Sequence, residues 1–279
     1  MRFNTVMFLS LPAVLTLVLF FSCEKSEVEE DTITTDTLSE AQLQQTSETD
    51  DATDGTLQII EASFVENQTT RQNFVSLFPE CAEITTSTSG ETTIVTIDFG
   101  TGCTLNNGAE VSGQITYNHG PVQDQTVTIT YQFTDFIYNS KQIFGGGSLL
   151  RMRSNADGNP QTTAQKNWEI IFPSEMSVSV TGTRISTWIE GVGSGTWTDN
   201  VYLHSGDRTL VFSNGFTHQT DITTPLRREI TCPFFVSGVV AINRNELFDI
   251  TLDYGDGTCD NLATLTVNGN STVIRLRRN

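Results

Sequence analysis

Basic side chains are scarce in this chain of 279 residues: 15 Lys plus Arg stand against 33 Asp plus Glu, a formal charge of −18. Nucleic acid is bound by displacing its counterions with clustered cations, so so acidic a chain is not expected to take it as a partner. Apolar residues are also few: they make up 37%, against about 45–50% in ordinary globular domains. Thr, Ser, Asn and Gly fill the gap, and with 17 Phe and only 7 Pro the mixture suits strands and turns better than helices. Recognisable catalytic patterns are missing. The three histidines, His119, His204 and His218, are scattered, and no H-E-x-x-H, G-x-S-x-G or phosphate-loop pattern occurs. No two cysteines have the close C-x₂₋₄-C spacing of a zinc site, so neither a metal nor another cofactor is implied.

The acid is concentrated. Residues 24–56 hold eleven Asp and Glu against Lys25 alone, a net −10, which leaves −9 for residues 57–279 once Arg2 is counted. This stretch has eight Thr and no aromatic residue, too little apolar surface to offset the entropy of ordering it. Residues 23–56 are therefore expected to form a disordered acidic tether, with the folded body over residues 57–279.

Upstream, Arg2 is followed by an apolar run from Val6 to Phe21 broken only by Ser10, Pro12 and Thr16. Sixteen residues are short for a membrane span, which needs about 20, and the run reads as an export signal over residues 1–22. Leu19-Phe20-Phe21-Ser22-Cys23 resembles a bacterial lipobox, with Phe20 where Leu is common. The resemblance implies lipidation of Cys23 and attachment to the membrane through that lipid. Five cysteines is an odd number, and assigning Cys23 to lipid leaves four that can pair in an oxidising compartment.

The body alternates apolar and polar residues, as in Thr93-Ile94-Val95-Thr96-Ile97-Asp98-Phe99, Thr126-Val127-Thr128-Ile129-Thr130-Tyr131 and Ala263-Thr264-Leu265-Thr266-Val267. Period-two alternation rich in β-branched residues predicts strands with one buried face. Turn signals such as Asn106-Asn107-Gly108, Asn214-Gly215 and Asn268-Gly269 punctuate them, and the last predicts a C-terminal hairpin. Roughly fourteen strands and no intervening helix imply an all-β antiparallel meander, either a sandwich or an open, barrel-like sheet. At most one short helix is expected, within Leu57 to Phe78, with Ile60, Phe64, Phe74 and Leu77 as core contacts. Gly145-Gly146-Gly147-Ser148 and Gly191-Val192-Gly193-Ser194-Gly195 are read as bulges or bends in long strands.

Two blocks, near residues 81–117 and 232–277, resemble each other. Thr96-Ile97-Asp98-Phe99-Gly100-Thr101-Gly102-Cys103 matches Thr251-Leu252-Asp253-Tyr254-Gly255-Asp256-Gly257-Thr258-Cys259 with one inserted Thr. An earlier cysteine precedes each, and this parallel layout favours Cys81–Cys103 and Cys232–Cys259 among the three possible pairings. Three carboxylates between Asp253 and Asp260 suggest calcium, but the first block has Thr101 and Thr104 in place of two of them, which favours a structural turn.

With Ser112-Gly113 and Ser237-Gly238 each preceding a strand, and with Arg184-Ile185-Ser186-Thr187-Trp188-Ile189-Glu190-Gly191 at the centre, these turns are similar to those of uncharacterised Bacteroidetes-type β-rich lipoproteins. The resemblance implies an envelope lipoprotein of the outer membrane, exposed at the surface where the acidic stretch directs it there; it implies no activity. The function expected is accordingly a non-enzymatic binding or structural role, with an envelope protein or a glycan as partner. The alternative is a glycan-binding or glycan-active surface protein using the aromatics Trp168, Trp188, Trp197 and Tyr202 as its ligand face, with Glu169, Glu175, Glu190 and Asp199 as nearby carboxylates. Arg184 and Trp188, four residues apart, should share one face of a strand.

Overall fold

The computed structural model describes residues 40–68, 75–243 and 250–276. Among them the chain forms one helix, α1 (Glu40–Asn67), and fourteen strands. These are β1 (Glu83–Ser89), β2 (Thr92–Asp98), β3 (Cys103–Thr104), β4 (Glu110–His119), β5 (Thr126–Tyr138), β6 (Lys141–Met152) and β7 (Gln161–Ile171), then β8 (Ser177–Glu190), β9 (Val201–Phe212), β10 (Thr217–Glu229), β11 (Phe235–Asn243), β12 (Ile250–Asp256), β13 (Leu262–Val267) and β14 (Asn270–Arg275). All pairings between them are antiparallel, and a single sheet runs from β1 to β14 in chain order, with the short β3 paired to β4 off the path. The architecture is thus one open meander and not a sandwich. Its edges, β1 and β14, are short, exposed and rich in Ser and Thr, which discourages edge-to-edge pairing with a second molecule.

Alternation decides which face turns inward. In β8, Val178, Val180, Arg184, Ser186 and Trp188 are buried while Ser179, Thr181 and Glu190 are exposed. In β7 the buried set is Thr162, Ala164, Lys166, Trp168 and Ile170. Asn268-Gly269 closes the β13–β14 hairpin with both residues at positive φ, pairing Val267 with Asn270. Asn139-Ser140 does the same between β5 and β6 without a glycine.

The disulfides join Cys81 to Cys103 and Cys232 to Cys259. The two related blocks occupy opposite ends of the sheet and are built alike. Asp98 Oδ1 accepts the Gly100 N–H at 2.8 Å, and Asp253 Oδ1 accepts that of Gly255 at 2.9 Å. Each Ser-Gly lies at a bulge: Gly113 and Gly238 have positive φ, and a Cβ on either would run into a neighbouring-strand carbonyl, of Asp135 and Pro225 respectively. In the second block Asp256 caps Thr258 and Asp260 caps Leu262, so all three carboxylates of the suggested calcium loop hold their own turns.

The helix is the main departure from the sequence reading. It begins at Glu40, not after Leu57, so residues 40–56 belong to the folded body and not to a tether. The remainder of the expected tether, Cys23 and Phe74 lie outside the described residues. Two devices let so polar a segment be buried. Thr49, Thr53 and Thr56 are buried and donate their hydroxyls to the carbonyls of Gln45, Thr49 and Ala52, each at 2.7 Å, so their polar atoms are satisfied within the helix. The carboxylates pair with strand side chains, as described below. Further along, Leu57, Ile59, Ile60 and Phe64 enter the main core with Val95, Ile97, Ile115, Tyr117, Ile129 and Ile143. Gly55 gives passage to Tyr138, whose ring occupies the space a Cβ would need. Leu77, past the helix, is fully buried in the same core.

Candidate functional site: a cavity between α1 and the second half of the sheet

Asp50, Asp54 and Glu61 fall on one side of α1 because four and seven residues bring a helix back to the same face. Opposite them the inner face of the sheet presents cations. Arg184 on β8, 7% exposed, donates from Nη1 to Asp54 Oδ1 at 2.6 Å and from Nη2 to Glu61 Oε1 at 3.3 Å. Arg208 on β9 pairs with Asp50, and Lys141 on β6 with Glu48 at 3.4 Å. Asn139 donates to Asp51 at 3.2 Å. An acidic helix is therefore clamped within a cationic sheet interior.

The environment separates the two carboxyls that share Arg184. Burial alone would raise Asp54, but the charges of Arg184 and Lys166 outweigh it and hold the group below the ordinary carboxylate range. Glu61 is raised, because its burial is only partly offset by Arg184 and Arg151. Burial pulls His204 down to about 3, helped by the positive charge of Arg184, so the imidazole is neutral at physiological pH. Burial likewise brings Lys166 down to about 8, against the attraction of Asp54.

Beyond this cluster lies a cavity of about 820 Å³, within the range of about 300–1,000 Å³ typical of small-molecule sites. One wall is the α1 face carrying Asp54, Gln58, Glu61 and Val65; the other is the inner face of β8–β13. Aromatic rings line that second wall in sequence. Trp188 stacks near Tyr202 (5.8 Å between centroids) and Tyr202 near His204 (6.2 Å). Phe235 meets His204 edge-on at 5.8 Å, and Tyr254 meets Phe235 at 5.3 Å. The β-register explains the first contact, since Trp188 pairs with Tyr202 across β8 and β9.

Several polar atoms at the cavity have no protein partner: Trp188 Nε1, Trp197 Nε1, Ser186 Oγ, Asn200 Oδ1 and His204 Nδ1. Ser186, His204 and Trp188 are 3%, 4% and 9% exposed. Leaving such groups unpaired costs about 1–3 kcal/mol each, and the cost concentrates at this one wall.

Of the aromatics singled out in the sequence, Trp188, Trp197 and Tyr202 come together here and Trp168 does not. Trp168 is buried in the main core, edge-on to Tyr131 and Phe133, and donates to the Gly146 carbonyl at 3.1 Å. None of Glu169, Glu175, Glu190 and Asp199 is among the cavity-lining residues; Glu190 pairs with Arg227 at 2.7 Å and Asp199 accepts from Ser194 at 2.9 Å. The carboxylates that do line it, Glu48, Asp50, Asp51, Asp54, Glu61 and Glu66, all sit on α1. Glu66 is also raised by burial and accepts from Ser76 Oγ at 2.6 Å and the Leu77 N–H at 3.0 Å.

Arg184 and Trp188 share the inner face, but the guanidinium turns to α1. The glycine run from Gly191 to Gly195 lies in the β8–β9 connection at the cavity rim and not within a strand, and Gly195 accepts the Val75 N–H at 2.9 Å. His204 and His218, far apart in sequence, both face the cavity. Among the described residues no group of three or more His, Cys, Asp and Glu side chains could hold a metal ion, and no helix is long and apolar enough to cross a membrane. No protein-family model, curated protein or solved structure matches this chain.

Proposed function

We propose that the protein is a lipid-anchored component of the cell envelope with a non-enzymatic binding role, and that the cavity between α1 and β8–β13 is its binding site. The observation that carries the binding reading is the wall of buried, unpartnered polar groups beside stacked aromatics, since a preformed interior with a few convergent polar groups is what small-ligand sites have in common. The envelope reading is supported by Ser22-Cys23 after a short apolar run and by two disulfides, which persist in oxidising compartments. Substituting Cys23→Ala in the full chain is expected to abolish both lipid labelling and membrane partitioning; unchanged partitioning and labelling contradict the anchor.

A second reading, a glycan-binding surface protein, is favoured by the indole N–H groups of Trp188 and Trp197 at the cavity, next to Tyr202, because sugars combine ring faces for stacking with hydroxyls for hydrogen bonding. Calorimetric titration with cellohexaose and with maltohexaose tests it. Binding that is lost in Trp188→Ala supports this reading, and no heat with either sugar counts against it.

A further inference from the structure

The cavity has two chemically different ends. Toward β8 and β9, Trp188 Nε1 and Trp197 Nε1 are unpartnered donors, Asn200 Oδ1 is an unpartnered acceptor, and Ser186 Oγ and His204 Nδ1 can serve in either role. Local structure holds them together: Asn200 donates its N–H to the Trp197 carbonyl at 3.2 Å and its amide to the Tyr202 hydroxyl at 3.4 Å, and Tyr202 is the register partner of Trp188. The charges nearby are already matched. Arg184 holds Asp54 and Glu61, Arg208 holds Asp50, and Arg228 is engaged over the Phe235 ring at 5.8 Å. The Nε groups of Arg184 and Arg208 lack an acceptor, but the charge of each guanidinium is answered by α1, so a neutral oxygen suffices for them. A carboxylate or an ammonium brought here would be desolvated without a counter-ion, and each offers hydrogen bonding of one kind only. A hydroxyl both accepts and donates, as this end requires.

Toward β11–β13 the wall becomes aliphatic. Val240, Leu252 and Leu265 stand in one register row across three strands, with Ile242 beyond them. These side chains belong to a second hydrophobic cluster that, among the described residues, contains none from α1. The helix thus covers the first half of the sheet and leaves this apolar floor facing the cavity. Val240 lies about 17 Å along β11 from Phe235 at the usual rise per strand residue, so a single ligand that reaches both ends is elongated.

Resting on the binding reading above, we infer that the ligand is an uncharged single-chain amphiphile: a hydroxyl-bearing head that accepts from Trp188 and Trp197 and donates to Asn200, with an alkyl chain along Val240, Leu252 and Leu265. A bare hydrocarbon leaves the polar end unpaired, and an oligosaccharide alone leaves the aliphatic floor uncovered.

The test uses the full chain in phosphatidylcholine vesicles, irradiated with 1-O-hexadecylglycerol bearing a diazirine and an alkyne in its chain, followed by peptide mapping of the adducts. Adducts within β11–β13 that 1-O-hexadecylglycerol competes better than palmitate or hexadecane, by about tenfold, support the inference. Adducts absent from these strands, or equal or stronger competition by palmitate or by hexadecane, overturn it. Leu252→Trp, which fills the floor, should abolish the adducts. Because that variant risks misfolding, Trp188→Phe provides a second readout: it keeps an aromatic ring, removes the donor, and should lower the preference for 1-O-hexadecylglycerol over hexadecane by about fivefold. An unchanged preference contradicts the head-group assignment. Failure of this inference is distinguishable from failure of the binding reading. Heat with cellohexaose or maltohexaose, without adducts in β11–β13, overturns the amphiphile and leaves the cavity a binding site, whereas neither heat nor adducts overturns both.

Discussion

Strands β2–β8 bury much of their inner face against α1, whereas β10–β13 turn theirs toward a cavity of about 820 Å³. Both regions belong to one sheet, with the same alternation and related Asp-[Phe/Tyr]-Gly turns at their outer ends. The difference arises from the helix, whose Leu57, Ile59, Ile60 and Phe64 all join the first core and none the second. An antiparallel sheet with one apolar face needs something to cover that face. Here the chain fills one half from its own N-terminal region, and the other half keeps space for a ligand.

The contrast is most strongly tested at the boundary between the halves, where Arg184 holds Asp54 and Glu61. Arg184→Met is expected to destabilise the fold by about 3–5 kcal/mol in urea melts, because it strands two carboxylates at a largely buried site. A loss below about 1 kcal/mol, the range of surface pairs, implies that α1 docks without this clamp.

Acid should act at the same boundary. His204 titrates near 3 in the fold against 6.5 ordinarily, so between these values the unfolded chain binds a proton that the folded chain does not. The resulting stability is complete above about pH 6.5 and is lost as the pH falls toward 3. Asp54, held low, loses its contribution in the same direction; Glu61, raised by burial, opposes it, because protonating that carboxyl relieves its burial. His204→Gln should flatten the dependence of melting temperature on pH between 6.5 and 4, and an unaltered slope assigns the effect to other groups.

Each disulfide closes a loop of similar length, 22 and 27 residues, one in each region. Removing either by paired Cys→Ser substitution should cost about 3 kcal/mol, nearly the same at both ends, if chain entropy dominates. A much larger cost at Cys81–Cys103 would place the difference in packing against α1. The smallest effect is a comparison of two side chains: Ile60→Ala in the filled half should cost about 3 kcal/mol and Leu252→Ala, which already borders open space, about 1–2 kcal/mol less. Equal costs would mean that the second half is as tightly packed as the first.

Much of the sheet is legible in the sequence because its rules are local. Alternation marks Thr93–Phe99 and Ala263–Val267 as strands, Asn268-Gly269 sets the last hairpin, and a separation of four places Arg184 and Trp188 on one face. The duplicated cysteine layout likewise matches the bridges between Cys81 and Cys103 and between Cys232 and Cys259. The helix was hidden because its burial is long-range. Asp54 and Glu61 look like tether and helix-surface acids until Arg184, more than 120 residues away, is placed against them. Thr49, Thr53 and Thr56 look hydrophilic until their hydroxyls are seen to be used within the helix. A local signal did exist: Asp50, Asp54 and Glu61 recur at helical spacing on one side, with Ala52, Thr56, Ile59, Ile60 and Ser63 buried elsewhere around the same helix. The same misplacement of α1 concealed half of the candidate site, since the cavity carboxylates belong to that helix and not to the Trp168–Tyr202 region.

Hydrogen exchange of the full chain tests most directly whether one half is filled by α1 and the other is left open. The account predicts that amides of residues 49–64 are protected to the level of β7 and β8, and that β11–β13 exchange faster than β4–β6. Exchange of residues 49–64 at the rate of an open chain, or protection of β11–β13 equal to that of β4–β6, would contradict it.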